Sequence, residues 1–218
     1  KYAAQCLGEL PPELLAEKKL LFKDLVAVAM KRYFGTDFKR IGHAAKVASY
    51  AEQIARQEQA DVAVVLVAAY LHDIGNIGIS NRFINKKGTL NPTDWAIIKQ
   101  HTRKAIELLS PLNLPLPILS CIEHHHEHFD GSGYPAGLRG NDIPLGARII
   151  TVSDSYDGMT SNRPYRRPLS REEAKKEMLK WTGKQFDPTL VSVFLQVLKE
   201  MEEDLDGRSA FGFPSFAS

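Results

Sequence analysis

Four of the chain's seven histidines fall within "CIEHHHEHFDGSGYPAGLRG", residues 121–140, three of them consecutive and followed by a Gly-Tyr-Pro tripeptide. Imidazole at this density either decorates a solvated helix end or offers nitrogen lone pairs to a metal ion. The other three, His43, His72 and His101, are scattered, but each keeps company with apolar residues. His43 stands four residues before Val47 and eleven before Ile54, and His101 lies four residues from both Ile97 and Ala105. On a helix these spacings place both rings on the inward face. Asp154, four residues after Ile150 and seven after Ala147, is inward by the same rule. His72-Asp73 closes the most apolar stretch of the chain. A buried ionisable pair is costly unless a partner or a metal matches it. A core histidine bonded to an aspartate would satisfy that as well as a ligand pair would. Several helices each sending one ligand-type side chain inward favour a site between helices of a bundle. Imidazole and carboxylate without thiolate suit Fe, Mn or Zn. Within the triplet, successive helical residues differ by about 100°, so two rings could reach one cluster but hardly three. His128 reads as a solvated helix-end residue, and His124 could be either.

The elements that must carry these residues are helical. Residues 11–34, 38–58 and 61–75 show helical apolar spacing, the last with Asp61 as N-cap and apolar on every side, as for a helix in the middle of a bundle. After a loop through Gly88, residues 91–109 open with Asn91 as N-cap and Pro92 at the first helical position. A short helix after the prolines takes in the histidine triplet, a Gly/Pro loop covers 129–145, and helices follow over 146–161, from the Ser170–Glu173 capping box, and over 187–201. The expectation is an all-α helical bundle.

Composition limits the alternatives. With 44% hydrophobic and 25% charged residues the chain can bury a core, and a net charge of +2 gives no electrostatic case for a nucleic-acid polymer or an anionic membrane. No apolar run approaches the length of a membrane span. Cys6 and Cys121 form neither a disulfide framework nor a thiolate cage, which fits a reducing, cytoplasmic setting. The chain opens without an initiator methionine and reads as part of a longer protein. Residues 1–36 are taken as a connecting helix, 37–204 as the domain and 205–218 as a tail.

"HDIGN" at 72–76, "HHEHFDGSGYP" at 125–135 and "DSYDGMTSNRPYR" at 154–166 resemble the HD-GYP domain, a subgroup of the HD metal-dependent phosphohydrolases. The match in order and spacing runs from about Arg40 to about Phe194. The resemblance implies an HD-type helical bundle and a bacterial phosphodiesterase that opens cyclic di-GMP, or a cyclic GMP-AMP, to a linear dinucleotide such as pGpG. A hydroxide bridging two metals would be the nucleophile. It implies two divalent ions, Fe or Mn foremost, with Zn, Ni or Co also acceptable. The implied ligands are His43, His72, Asp73, His101, His125, His126 and Asp154, with Asp73 bridging, His124 flanking, and Gly133, Tyr134 and Pro135 beside the substrate. Arg163 and Arg166 match positions that hold substrate phosphate, a task suited to guanidinium forks. An upstream sensor or receiver domain, a GGDEF-type partner and a homodimer are further implications.

The chain departs from the pattern twice. Asn76 stands where the family usually has a lysine beside the substrate phosphate, which predicts weaker binding or slower turnover. Lys39 stands four residues before His43, where members with three metals carry a glutamate, so two metals are expected. Glu127 reads as a partner orienting a ligand histidine rather than as a general acid. Two rival readings remain. One is a receptor that binds cyclic di-GMP without turnover, for which Asn76 speaks. The other is an HD phosphohydrolase of a different phosphoester, against which the Gly-Tyr-Pro loop and "SNRPYR" speak.

Overall fold

The computed structural model describes residues 38–84, 86, 88–162 and 167–210. The expected helix over 11–34, Arg163, Arg166 and the last residues of the tail, 211–218, lie outside them. Among the described residues the architecture is helical, with no strand beyond a single bridge between Thr182 and Phe186. The α-helices are α1 (Phe38–Gln57), α2 (Val62–Leu71), α3 (Asn81–Ile84), α4 (Pro92–Lys99), α5 (His101–Leu109), α6 (Leu116–Glu123), α7 (Leu145–Thr160), α8 (Arg171–Lys180) and α9 (Pro188–Ala210).

Helix α2 is the centre. Its sequence is apolar all round, and residues 65–71 are buried in an unbroken run. The Asp61 carboxylate accepts from the Ala63 and Val64 N–H groups at 3.0 and 3.2 Å and starts the helix. Helices α1, α6 and α7 pack around it, and α9 closes over α1 and α7. The core between them holds Val47, Ile54, Ile122, Ile149, Ile150, Phe194 and their neighbours, all fully buried. Tyr50, Tyr156 and Phe194 meet edge-to-face, with centroids 5.1–5.6 Å apart.

Three details differ from the sequence reading. Helix α2 stops at Leu71, and residues 74–78 form a 3₁₀ turn rather than a continuation. This turn lies directly on α5: a Cβ on Gly75 would stand 1.8 Å from the His101 carbonyl oxygen. The helix expected over 91–109 is two helices. Gln100, with ψ at −13°, turns its N–H to the Ile97 carbonyl, and α5 starts afresh at His101. The last helix runs to Ala210, well past Met201. The caps agree with the reading: Asn91–Asp94 and Ser170–Glu173 both form reciprocal capping boxes.

Candidate metal centre

Five segments deliver the seven expected ligands. His43 comes from α1, and His72 and Asp73 from the end of α2. His101 opens α5, His125 and His126 follow α6, and Asp154 comes from the middle of α7. The two adjacent histidines do not sit on a helix as expected. They lie in the turn beyond Glu123, and the turn, not the helical 100° step, allows both rings to face the cluster.

The local fold fixes the rings. Nδ1 of His72, His101 and His125 each lies 2.6–2.8 Å from the carbonyl oxygen three residues earlier, on Ala69, Ile98 and Ile122. A carbonyl only accepts, so each Nδ1 carries a hydrogen. In the neutral ring Nε2 is then a bare lone pair. These lone pairs converge. His101 and His125 face each other with Nε2 atoms 3.5 Å apart, and the buried Nε2 of His72 has no hydrogen-bond partner. His125 is fully buried, and burial together with the rings of His126, His72 and His101 holds its pKa well below the ordinary value. Burial and the neighbouring His101 bring His126 down to about 4. Inward nitrogen lone pairs with no protein donor to meet them fit a cation.

The donors fall into overlapping groups. His43, His72 and Asp154 offer ligand atoms that lie within 4.8 Å of one another, as do His101, His125 and His126. Asp73 stands between these groups. Its Oδ2 is 4.0 Å from His43 Nε2 and 3.8 Å from His72 Nε2, while its Oδ1 is 3.6 Å from His101 Nε2. One carboxylate thus presents an oxygen to each half, the arrangement a bridging ligand requires. In the first half, His43 Nε2 is 3.1 Å from Asp154 Oδ1. Partial burial opposes a charge on His43, but Asp154 and Asp157, both in hydrogen-bond reach, hold its pKa up at about 10. Asp154 lies well below the carboxylate range: burial would raise it, and the His43 bond outweighs that.

The Gly-Tyr-Pro segment forms one wall. The Tyr134 ring stacks on His126 with centroids 4.9 Å apart, and its N–H donates to the His126 carbonyl at 3.2 Å. The Lys99 ammonium sits 4.7 Å from the Tyr134 ring centre. Burial, reinforced by Asp73 and Asp154, pushes the phenol above its usual range, so it remains a neutral donor. A Cβ on Gly133 would meet the His128 nitrogen at 2.2 Å and the Glu127 Cα at 2.5 Å, so only glycine permits this approach. The expectation for Glu127 is corrected here. Its buried carboxylate does not orient a ligand histidine; it accepts from the N–H groups of Ala136, Gly137 and Leu138 at 2.7–3.1 Å and holds the loop. His124 stands 3.5 Å from it, outside the ligand groups. His128 is half-buried beside Ser132, with Nδ1 and Oγ 3.0 Å apart, and keeps part of its surface in solvent. Asn76 is half-buried in the 3₁₀ turn, three residues past Asp73, and Lys39 is exposed.

Sequence reasoning missed Asp157. It is buried and lies 2.6 Å from His43 Nδ1. Its position one turn beyond Asp154 on α7 is the signal that could have found it.

Residues 21–190 match the HD domain family. The chain is 43% identical over 144 residues to a cyclic di-GMP phosphodiesterase of Thermotoga maritima, covering 65% of this chain and 39% of that protein. It is 36% identical to a cyclic di-GMP phosphodiesterase response regulator of Xanthomonas campestris, covering 76% of this chain and 43% of the relative. It is 34% identical to a 3'3'-cGAMP-specific phosphodiesterase of Vibrio cholerae, covering 71% and 30%. It thus spans less than half the length of these relatives. Among solved structures, a cyclic GMP-AMP phosphodiesterase of V. cholerae superposes with a TM-score of 0.65 at 20% identity, covering 81% of this chain and 48% of that one. The HD domain of the L. monocytogenes phosphodiesterase PgpH superposes at 0.58 and 20% identity, covering 81% and 97% or 95% in its free and cyclic-di-AMP forms, the free form at 0.57. These structures share the helical fold.

Proposed function

The chain belongs to the HD domain family, and from that premise we propose that it is a metal-dependent phosphodiesterase that opens a cyclic dinucleotide, cyclic di-GMP foremost, to the linear pGpG. Relatives that bear the names of cyclic di-GMP and cGAMP phosphodiesterases support the substrate class. The single observation that carries the reading is the division of Asp73 between two groups of histidine lone pairs.

HD phosphohydrolases are metal-dependent, and we assign two divalent ions here, Fe or Mn by preference: one to His43, His72 and Asp154, the other to His101, His125 and His126, with Asp73 shared. Lys39, a cation one turn before His43, argues against a third. When bound, such a pair supplies positive charge for a phosphate oxygen and acidifies a water as nucleophile. The protein's part is positional. The backbone carbonyls of Ala69, Ile98 and Ile122 fix three imidazole tautomers, so no reorganisation is needed at the moment of reaction. Tyr134 and Lys99 offer a hydroxyl and a charge at the rim, Arg163 and Arg166 are assigned to the substrate phosphates, and Asn76 offers a neutral amide near Asp73. An upstream sensor or receiver domain, a GGDEF-type partner and a dimer contact through residues 1–36 belong to the same proposal. No helix among the described residues is long and apolar enough to cross a membrane.

The test is metal analysis of the purified chain followed by cyclic di-GMP turnover with Mn(II) or reduced Fe. Two ions per chain with release of pGpG is the expected result. Two ions with tight binding of the dinucleotide and no turnover would instead make the chain a receptor, and Asn76 the residue to change. Preference for 3'3'-cGAMP in direct competition would move the substrate within the class.

A further inference from the structure

Among the ligand histidines, His43 is held differently from His72, His101 and His125. Those three rest Nδ1 on backbone carbonyls of their own segments. His43, on α1, instead gives its Nδ1–H to the side chain of Asp157 on α7, at 2.6 Å from Oδ2. The carboxylate is buried, and its other oxygen is also taken: Oδ1 accepts from Ser161 Oγ at 2.9 Å and lies 3.5 Å from the Lys46 ammonium. With both oxygens engaged it has one orientation. Ser161 is itself fixed, its N–H bonded to the Asp157 carbonyl at 2.8 Å.

We propose that Asp157 is a positioning residue for one half of the centre: it sets the tautomer and direction of the His43 ring and makes its Nε2 a stronger donor than the three carbonyl-backed rings. The reason is general. An imidazole whose far N–H is bonded to a carboxylate carries more negative charge on its ligating nitrogen than one bonded to a neutral amide, and loss of such a partner costs about 10–100-fold in metal affinity. The consequence is asymmetric. The ion assigned to His43, His72 and Asp154 depends on Asp157; the ion assigned to His101, His125 and His126 does not, because no ring in that group touches it. Asp157 also joins α1 to α7, receiving His43 and Lys46 from α1, so the donor set of this half is tied to two helices through one carboxylate.

This inference rests on the two-ion reading above, and its test separates the two. The full chain, Asp157→Ala and Asp157→Asn are titrated with Mn(II) against a competing chelator, with Mn(II) EPR to distinguish a coupled pair from a lone ion. The unsubstituted chain is expected to bind two ions with a coupled signal; failure there overturns the two-ion reading itself, before any variant is considered. For Asp157→Ala one ion keeps its affinity, the other weakens about 10–100-fold, and the lone-ion signal dominates at one equivalent. Asp157→Asn, which keeps an acceptor oxygen but not the charge, falls between and guards against a folding defect in the alanine variant. Ser161→Ala, which frees Oδ1 but leaves the His43 bond, weakens the same ion by less than Asp157→Ala does and leaves the other ion unchanged. Equal weakening of both ions, or wild-type binding by Asp157→Asn and Asp157→Ala alike, overturns the proposal.

Discussion

Asp73 contributes one oxygen to each half of the centre, so its charge is felt by both. Asp73→Asn replaces an anion that faces both halves, the proposed bridge, with an amide that can offer only one good acceptor. Turnover should fall by at least about a hundredfold, with reduced content of both ions, measured by steady-state assay and elemental analysis. Asn76 tests the opposite sign. It stands in the turn after Asp73, and Asn76→Lys adds a cation where a substrate phosphate is expected. KM should drop several-fold, a gain of about 1 kcal/mol for one exposed charge pair, with the metal content unchanged. At this scale the sequence was legible where a ligand-type side chain recurs at the spacing of apolar neighbours: His43, His101 and Asp154 were placed inward by spacing, while His72 and His125 were placed as ligands by the resemblance. Glu127 was misread and Asp157 was not singled out, because each acts on a partner that spacing does not reveal. For Glu127 that partner is a run of loop N–H groups, and for Asp157 it is a ring on another helix.

The loop and the turn carry their own predictions. Gly133 has no room for a Cβ, so Gly133→Ala must lift Tyr134 from His126. Glu127→Gln turns an amide N–H₂ toward at least one of three N–H donors it should accept from, at about 1.5–3 kcal/mol per charged hydrogen bond lost. Both variants should keep their metals and raise KM about tenfold, and hydrogen exchange at Ala136–Leu138 should speed up in Glu127→Gln. Unchanged exchange there would mean the carboxylate does not hold the loop. Gly75→Ala acts on the centre itself, since the new methyl would overlap the His101 carbonyl and drive Asp73 away from α5. Overpacking of this kind costs about 1–3 kcal/mol or more and should lower the melting temperature by roughly 5–10 °C. Helix caps were legible from Asp61, Asn91 and Ser170. The break at Gln100 was not, because no glycine or proline marks it; the Gln100 N–H turns to Ile97, and α5 beyond it packs against the 74–78 turn.

Across the whole molecule, the candidate ligands come from five segments separated by up to 111 residues between His43 and Asp154. A bound ion therefore cross-links elements that the chain brings together only on folding. At a free metal concentration a hundred times its dissociation constant, one site adds about 2.7 kcal/mol. Chelation should lower the melting temperature by roughly 5–10 °C and re-addition of Mn(II) should restore it, read by calorimetry. The bundle as a class was legible because its apolar residues recur at helical spacing almost throughout. How the helices meet was not, since crossing geometry is decided by side-chain fit between elements distant in sequence.

Helix α2 is enclosed by α1, α6 and α7, and each of these bears donors itself or leads into a segment that does. It is the spindle on which the donor-bearing parts are indexed. Trimming it, for instance at the buried Val67, would let those parts turn by fractions of an ångström while most of the core survives. Misalignment of that size should leave most of the fold and weaken the proposed sharing of one carboxylate between two ions. The tolerance of this machine is thus set in its oiliest part, and wear there would silence it while it still looked whole.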